Sequence, residues 1–531
     1  MANKIALLLL SMILILSCNK SEENVPEIKP IATYTVNFDT NGGNAIDQLN
    51  IKEGNNILKP TDPTKACLDF EIWYTDQDLT NVFDFTTPIT SNITLYAGYK
   101  ENLMPIDRLE LIKLIACGVV LDLINTSNVT DMNRLFFGDK TLNGSISDWD
   151  VSNVTDMSEM FSKNETFNQD ISNWDVSKLV DMSEMFSEAK AFNQNLNSWD
   201  VSNVVNMNLT FSRAYIFNQN ISGWDVSKVQ DMSYLFNQAV VFNQDISAWN
   251  ITKVKDMAGM FSGATAFDND ITNWDVSNVN NMNGMFSFNT TFNQDIGGWN
   301  VSNVTNMASM FLGAEIFNQD ISNWDVSNVV NMNVMFAQTD DFNQDIGGWN
   351  VSQVVGMNGT FFKAKSFNQD LGDWDVSSVR FMPEMFKGSP FNFDISRWNV
   401  SNVENMFEMF RQAVSFNQDL STWNVSSVQN MSGMFSQTDE FNQDISNWDV
   451  SLVTNMQFMF SEAKSFNQDL SAWNMVNVGN ISRMFSEASN FNQENIKSWN
   501  IQNTTLIEMS LFGTAMPLTF RFDNLPDESP F

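Results

Sequence analysis

A chain of 531 residues with 44 Phe, 31 Met and 16 Trp, no His, and a formal charge of -35 at pH 7 excludes several classes of protein. Its 43% apolar content supplies a core and argues against disorder, while 28 Lys and Arg against 63 Asp and Glu leave too few cations to neutralise nucleic-acid phosphates. Without His the commonest general base and transition-metal ligand are missing, so no enzyme, no cofactor and no metal centre is expected, and the partners suited to so acidic a surface are basic or bring cations.

Lys4, the apolar run Ile5 to Leu16 and then Ser17-Cys18 read as a secretory signal over residues 1–17, too short to span a bilayer. Ile15-Leu16-Ser17-Cys18 resembles a bacterial lipobox, which implies cleavage before Cys18 and lipidation of its thiol. The polar segment 18–30 reads as a flexible tether. Its Glu22-Glu23 pair resembles the surface-export signal of Bacteroidetes lipoproteins, implying an outer-membrane lipid anchor with the chain facing outward and no other membrane contact.

Residues 31–100 read as a small β module. Tyr34 to Phe38, Phe70 to Tyr74 and Ile93 to Tyr99 alternate as strands, and Asp39-Thr40-Asn41-Gly42-Gly43 is a turn signal. The run YTVNFDTNGGN, with Lys59 to Lys65, resembles the Listeria–Bacteroides repeat, a β-grasp-like spacer of surface proteins. Cys67-Leu68 stands where that family has Gly-Tyr. Cys67 and Cys117 could pair only if the segments holding them dock.

Residues 101–120 predict a helical cap: Asp107 caps a helix through Leu114, with Leu109, Leu111, Ile112, Leu114 and Ile115 on one face and Gly118 near its stop. From there to residue 512 the chain repeats. Ten Trp from Trp149 to Trp374 are 25 residues apart, Trp398 follows after 24, and Trp499 closes the series after 26. Such a period marks a stacked array in which each unit buries its apolar face against its neighbours. About sixteen coils are expected, Ile124 holding the Trp position in the first, and at the roughly 4.8 Å spacing of neighbouring strands they would run for about 75 Å. Within a coil, I-x-x-W-x-V predicts a short parallel strand and M-x-x-M-F a helical turn. The segment FNQDISNWDVSNVVNMNVMF at 317–336 resembles the BspA-like surface-protein repeat of family 285. That resemblance implies a leucine-rich-repeat-like solenoid behind a small β-grasp-like domain. Residues 513–531 read as a tail.

Stacking turns each repeated position into a column. Trp, Met and Phe columns are expected in the core rather than as a sugar-stacking platform, and Asn168 and its equivalents as a ladder satisfying turn backbone. The residue after Trp alternates from Asp225 through Asn250, Asp275, Asn300, Asp325, Asn350 and Asp375 to Asn399. Like charges at that spacing repel by about 0.9 kcal/mol even in water, which alternation relieves; duplication of a 50-residue pair would leave the same pattern. Asp170, Asp245, Asp295, Asp320, Asp345 and Asp370 form a second column whose oxygens suit Ca²⁺. No glycine-rich calcium nonapeptide accompanies it, so turn capping is the expected role. The one irregularity, Arg380 to Phe393, reads as a kink.

The expected function is therefore adhesion or protein-protein recognition at the cell surface, with glycan binding as the alternative. The family resemblance implies host or matrix contact. The variable aromatic residues Tyr215, Phe288, Phe362 and Phe458 share no single column.

Overall fold

The computed structural model describes residues 29–139, 142–502, 505–508, 510–517 and 520–523. Cys18, the signal segment and all of the tether but residues 29–30 lie outside the described residues. Contacts divide the chain into two compact units, residues 1–102 and 103–531.

The first unit is a four-stranded sheet of β1 (Thr33–Asp39), β2 (Leu49–Lys52), β3 (Asp69–Tyr74) and β4 (Ile93–Lys100), in the order β2-β1-β4-β3. The outer pairs are antiparallel, and β1 runs parallel to β4 with Val36 opposite Ile93. Three strands are the ones the alternation predicts. The fourth, β2, is only four residues long and half exposed, too short for its alternation to stand out. Trp73, Val36 and Leu95 are fully buried at its centre. The Asp39–Gly43 turn is closed by the Asn41 N–H donating to Asp39 Oδ1 at 2.9 Å, and Gly43 is required there because a Cβ would collide with the Tyr99 hydroxyl. Cys67 takes φ +69, the left-handed conformation suited to the family's glycine, so the local turn survives the substitution at a backbone cost.

The second unit opens on α1 (Arg108–Ala116), capped by Asp107 accepting from the Glu110 N–H at 3.0 Å. Leu111 and Leu114 are buried, but Leu109 is 72% exposed and leaves the predicted face. Beyond it, parallel bridges join residues 24 to 26 positions apart from Asp131 to Leu506, linking sixteen successive coils. One core runs through them all, with Ile124 buried at the first Trp position. The missing residue near Pro390 does not break the stack: Phe361, Phe386 and Phe410 keep centroid separations of 5.6 and 5.7 Å. The extra residue before Trp499 is taken up in a single turn of 3-10 helix, Glu494–Ser498. The segment read as a tail closes the far end instead, burying Met516, Phe520 and Phe522 and stacking Phe522 on Trp499.

Inside each coil the backbone departs from the expected strand and helical turn. The I-x-x-W-x-V segment bends twice, because the Trp324 N–H donates to the Ile321 carbonyl and the side chains of Asp320 and Asp325 accept the N–H two residues on, at 2.9 and 3.0 Å. The M-x-x-M-F segment cannot be helical, since its alternate N–H groups leave the coil: Met332, Val334, Phe336 and Gln338 donate to the carbonyls of Gly356, Asn358, Thr360 and Phe362 of the next coil at 2.7–3.1 Å. This geometry needs positive φ at two positions four residues apart, such as Val334 and Gln338 (φ +50 and +58). Gly259 and Gly263 occupy those positions in their coil, at φ +58 and +67.

The aromatic columns are fixed as tightly. Trp324 is 3% exposed, and its indole N–H donates to the Ile296 carbonyl of the preceding coil at 3.0 Å. Every repeated Trp makes the equivalent bond, from Trp149 to Leu121 through Trp499 to Leu470. The indole N–H groups are thus satisfied within the aromatic core.

Candidate recognition surface

With Trp, Met and Phe committed inward, what each coil shows to solvent is set by its turns. The residue after Trp is exposed in all eight coils from Asp225 to Asn399. Asp325 accepts the Ser327 N–H at 3.0 Å and Asn350 accepts the Ser352 N–H at 3.2 Å. Acid and amide therefore do the same structural work, and the fold leaves the charge free to vary. Bonds from the following Ser, side chain first and backbone N–H second, hold the carboxyls of Asp225, Asp275, Asp325 and Asp375 below the ordinary carboxylate value.

The second acidic column is also exposed. Asp170, Asp245, Asp295, Asp320, Asp345 and Asp370 each accept the N–H two residues on, at 2.9–3.0 Å. One carboxylate oxygen of each is thus engaged in a turn. Among the described residues no group of three or more Cys, Asp or Glu is placed to hold a metal ion.

Between these columns and the core runs the amide ladder. Asn318 donates its N–H to Asn293 Oδ1 at 3.0 Å and accepts the Asn343 N–H at the same distance, while Gln344 Nε2 reaches Asn318 Oδ1 at 2.9 Å. The ladder closes backbone donors that the turn would otherwise orphan, as expected from the repeated Phe-Asn-Gln.

The acidic face deepens around residues 345–375. Gly347 and Gly348 replace bulkier residues, and with Asp345, Asp370, Asp373, Asp375 and Asn350 they line a hollow of about 530 Å³. A Cβ at Gly347 would collide with the Asp370 carbonyl, so glycine there lets the coils close up. Arg397 pairs with Asp373 at 2.9 Å on its rim, both side chains well exposed.

Apolar side chains also reach solvent. Ile216, Val240 and Val241 are exposed at neighbouring positions of successive coils, beside the half-buried Tyr215. Phe288 and Phe458 occupy the two positive-φ positions of the turn segment (φ +53 and +59), and Phe362 lies between them in the repeat, with the Lys363 and Lys387 ammonium groups 5.1 and 5.3 Å from its ring centre. They share no single column, but all three belong to the same turn segment. Gly at the equivalent positions of other coils, as in M-x-G-M-F-x-G at 257–263, was the signal in the sequence for that conformation.

Comparison with known proteins bears on both units. The family profile described as "Mycoplasma protein of unknown function, DUF285" matches residues 116–222, 194–296, 280–390, 343–438 and 419–519. The Listeria-Bacteroides repeat domain matches residues 34–98. Two proteins of Evansella cellulosilytica are similar over 73 residues, 14% of this chain: one named as a candidate membrane protein, at 42% identity, and one as a candidate Gly-rich membrane protein, at 37%. The matched segment spans only 11% and 8% of those two relatives. Among the described residues no helix is long and apolar enough to cross a membrane.

Proposed function

The chain belongs to the DUF285 repeat family, and from that premise we propose that it is a BspA-like surface lipoprotein whose solenoid of coils recognises protein partners. In this reading Cys18 carries the lipid anchor in the outer membrane, the Listeria–Bacteroides module is a spacer, and the array faces outward. It acts by contact, not catalysis. The observation that carries it is the exposed acid-and-amide column after Trp. The coils from Asn125 to Asn474 repeat the turn cap there, Asp and Asn serve it alike, and a row of charge remains that the cap does not require. A surface of this kind favours partners with basic faces through electrostatic steering, with binding that weakens as salt screens it.

The test uses cells producing the full chain or its Cys18→Ala variant, scored for labelling by radioactive palmitate, cleavage by external protease, and adhesion to immobilised matrix proteins and mucin. The wild-type chain should take up the label, be cut from outside and support adhesion that declines with salt. The variant should lose the label and the adhesion. A chain shielded from protease, or adhesion unchanged in the variant, would overturn the reading.

A further inference from the structure

The turn segment of the last coils forms a trough of about 470 Å³ whose chemistry differs from the acidic face. Its floor is a row of serines, Ser436, Ser461 and Ser486, one per coil, the first two buried. One wall is a chain of amides and carboxylate: Gln412 donates to Gln437 at 2.8 Å and Gln437 to Glu462 at 3.0 Å, with Glu487 next in the column. The other wall is Phe458, with the Arg483 guanidinium over its ring at 5.9 Å. Gly433 precedes Phe458 in that column and opens the wall.

The two ends are built differently. Phe512, 57% exposed, stands at one. Arg411 closes the other: it pairs with Glu408 through Nη1, while its buried Nε has no hydrogen-bond partner among the described residues. Arg483 enters no ion pair among the described residues. A buried donor without an acceptor is costly unless something supplies one, so this hollow is short of an acceptor at the Arg411 end and presents the exposed Phe512 ring at the other.

We propose that the trough binds a neutral glycan segment lying along the axis of the array. The inference rests on the contact role assigned above and adds a ligand class and a site. Three features select that ligand. The hydroxyl row repeats at the coil spacing, about 4.8 Å, whereas an extended peptide advances about 3.4 Å per residue and would fall out of step; a linked pyranose ring advances by nearly one coil. The two arginines are balanced by Glu462 and Glu487, which discriminates against strongly anionic or cationic chains. Phe458 and Phe512 offer ring faces for the C–H side of a sugar, and Arg483, Glu487 and the serines offer the donors and acceptors that its hydroxyls need.

The test titrates the full chain with cello-, laminari-, manno- and chitohexaose by calorimetry. Phe458→Gly suits the φ of +59 and repeats the glycine found at residue 433, so it removes the ring without stressing the backbone; Phe512→Ala and Arg483→Gln are its companions. Phe288→Gly, the same kind of change in a distant coil, is the control. At least one hexasaccharide should bind, at least tenfold more weakly in each trough variant and unchanged in the control. Absence of binding to all four sugars, or binding that the trough variants leave intact, overturns the proposal. Adhesion to matrix proteins measured on the same variants keeps that outcome separate from failure of the broader reading: intact adhesion with no sugar binding refutes the trough alone.

Discussion

Replacing Trp324 by Phe in the middle of the array keeps an aromatic ring in the stack but removes the indole N–H. The Ile296 carbonyl, its acceptor at 3.0 Å, is then left inside the core without that donor. An orphaned buried acceptor costs about 1–3 kcal/mol, and the smaller ring leaves a void beside Trp349, whose ring centre lies 6.4 Å away. Together these predict a loss of about 2–4 kcal/mol. Because each coil rests only on its neighbours, the loss should be local and split the unfolding into less cooperative halves. Urea denaturation followed by circular dichroism measures the first effect. Amide hydrogen exchange over residues 296–349 measures the second. Val330→Thr, at a 46% exposed position, is the control and should change stability by less than about 0.5 kcal/mol. A Trp324→Phe protein as stable as that control would refute the claim that the indole N–H ties coil to coil.

Other perturbations test the remaining contacts. Gly313→Val puts a β-branched residue at φ +66 with its Cβ 2.6 Å from the Phe288 ring, and thermal melting should show a loss above about 2 kcal/mol. Gln338→Gly, at φ +58, should stay within about 1 kcal/mol of wild type, since relief of the backbone offsets the entropy of glycine. Asn318→Ala removes the acceptor of two bonds in the amide ladder and should cost about 1–3 kcal/mol in the same assay. The turn-capping carboxylates titrate below their ordinary value of 3.8 because the folded state favours their charged form. The stability they add is present above that value and lost as pH falls through the folded values. Since Asn makes the same cap without charge, the loss per group is small, and the melting temperature should decline gently below about pH 4; a melting temperature that rises on acidification to pH 3 would contradict the assignment.

Much of this was legible in the sequence because stacking copies each position into a column. The Trp period located the coils, Asp107 and Gly118 bounded the helix at the near end, and Phe-Asn-Gln marked the ladder. The backbone path within a coil was not legible. Met182, Met185 and Phe186 stand three and four apart, the spacing of a helical face, yet the same spacing arises when left-handed residues recur every fourth position and hand alternate N–H groups to the next coil. The glycines at 138, 259, 263, 284, 313, 359, 388, 433 and 513 distinguish the two. Phe520 and Phe522 escaped notice because they follow a break in the period, where capping is decided by packing and not by repeat. The trough escaped because the column of Gly433, Phe458 and Arg483, the serine row that Arg411 and Phe512 end, and the column of Glu462 and Glu487 come together only through the turn geometry.

The exchangeability of Asp and Asn after Trp gives the most direct test of recognition through charge. The full chain carrying Asp225→Asn, Asp275→Asn, Asp325→Asn and Asp375→Asn should melt within a few degrees of wild type, because Asn already makes that cap at residues 250, 300 and 350. Binding of the wild-type and substituted chains to immobilised matrix proteins is then measured between 50 and 500 mM salt. If charge carries recognition, the substituted chain binds about tenfold more weakly at low salt with a shallower salt dependence. Equal affinity and equal salt dependence for the two chains, both folded, would contradict it.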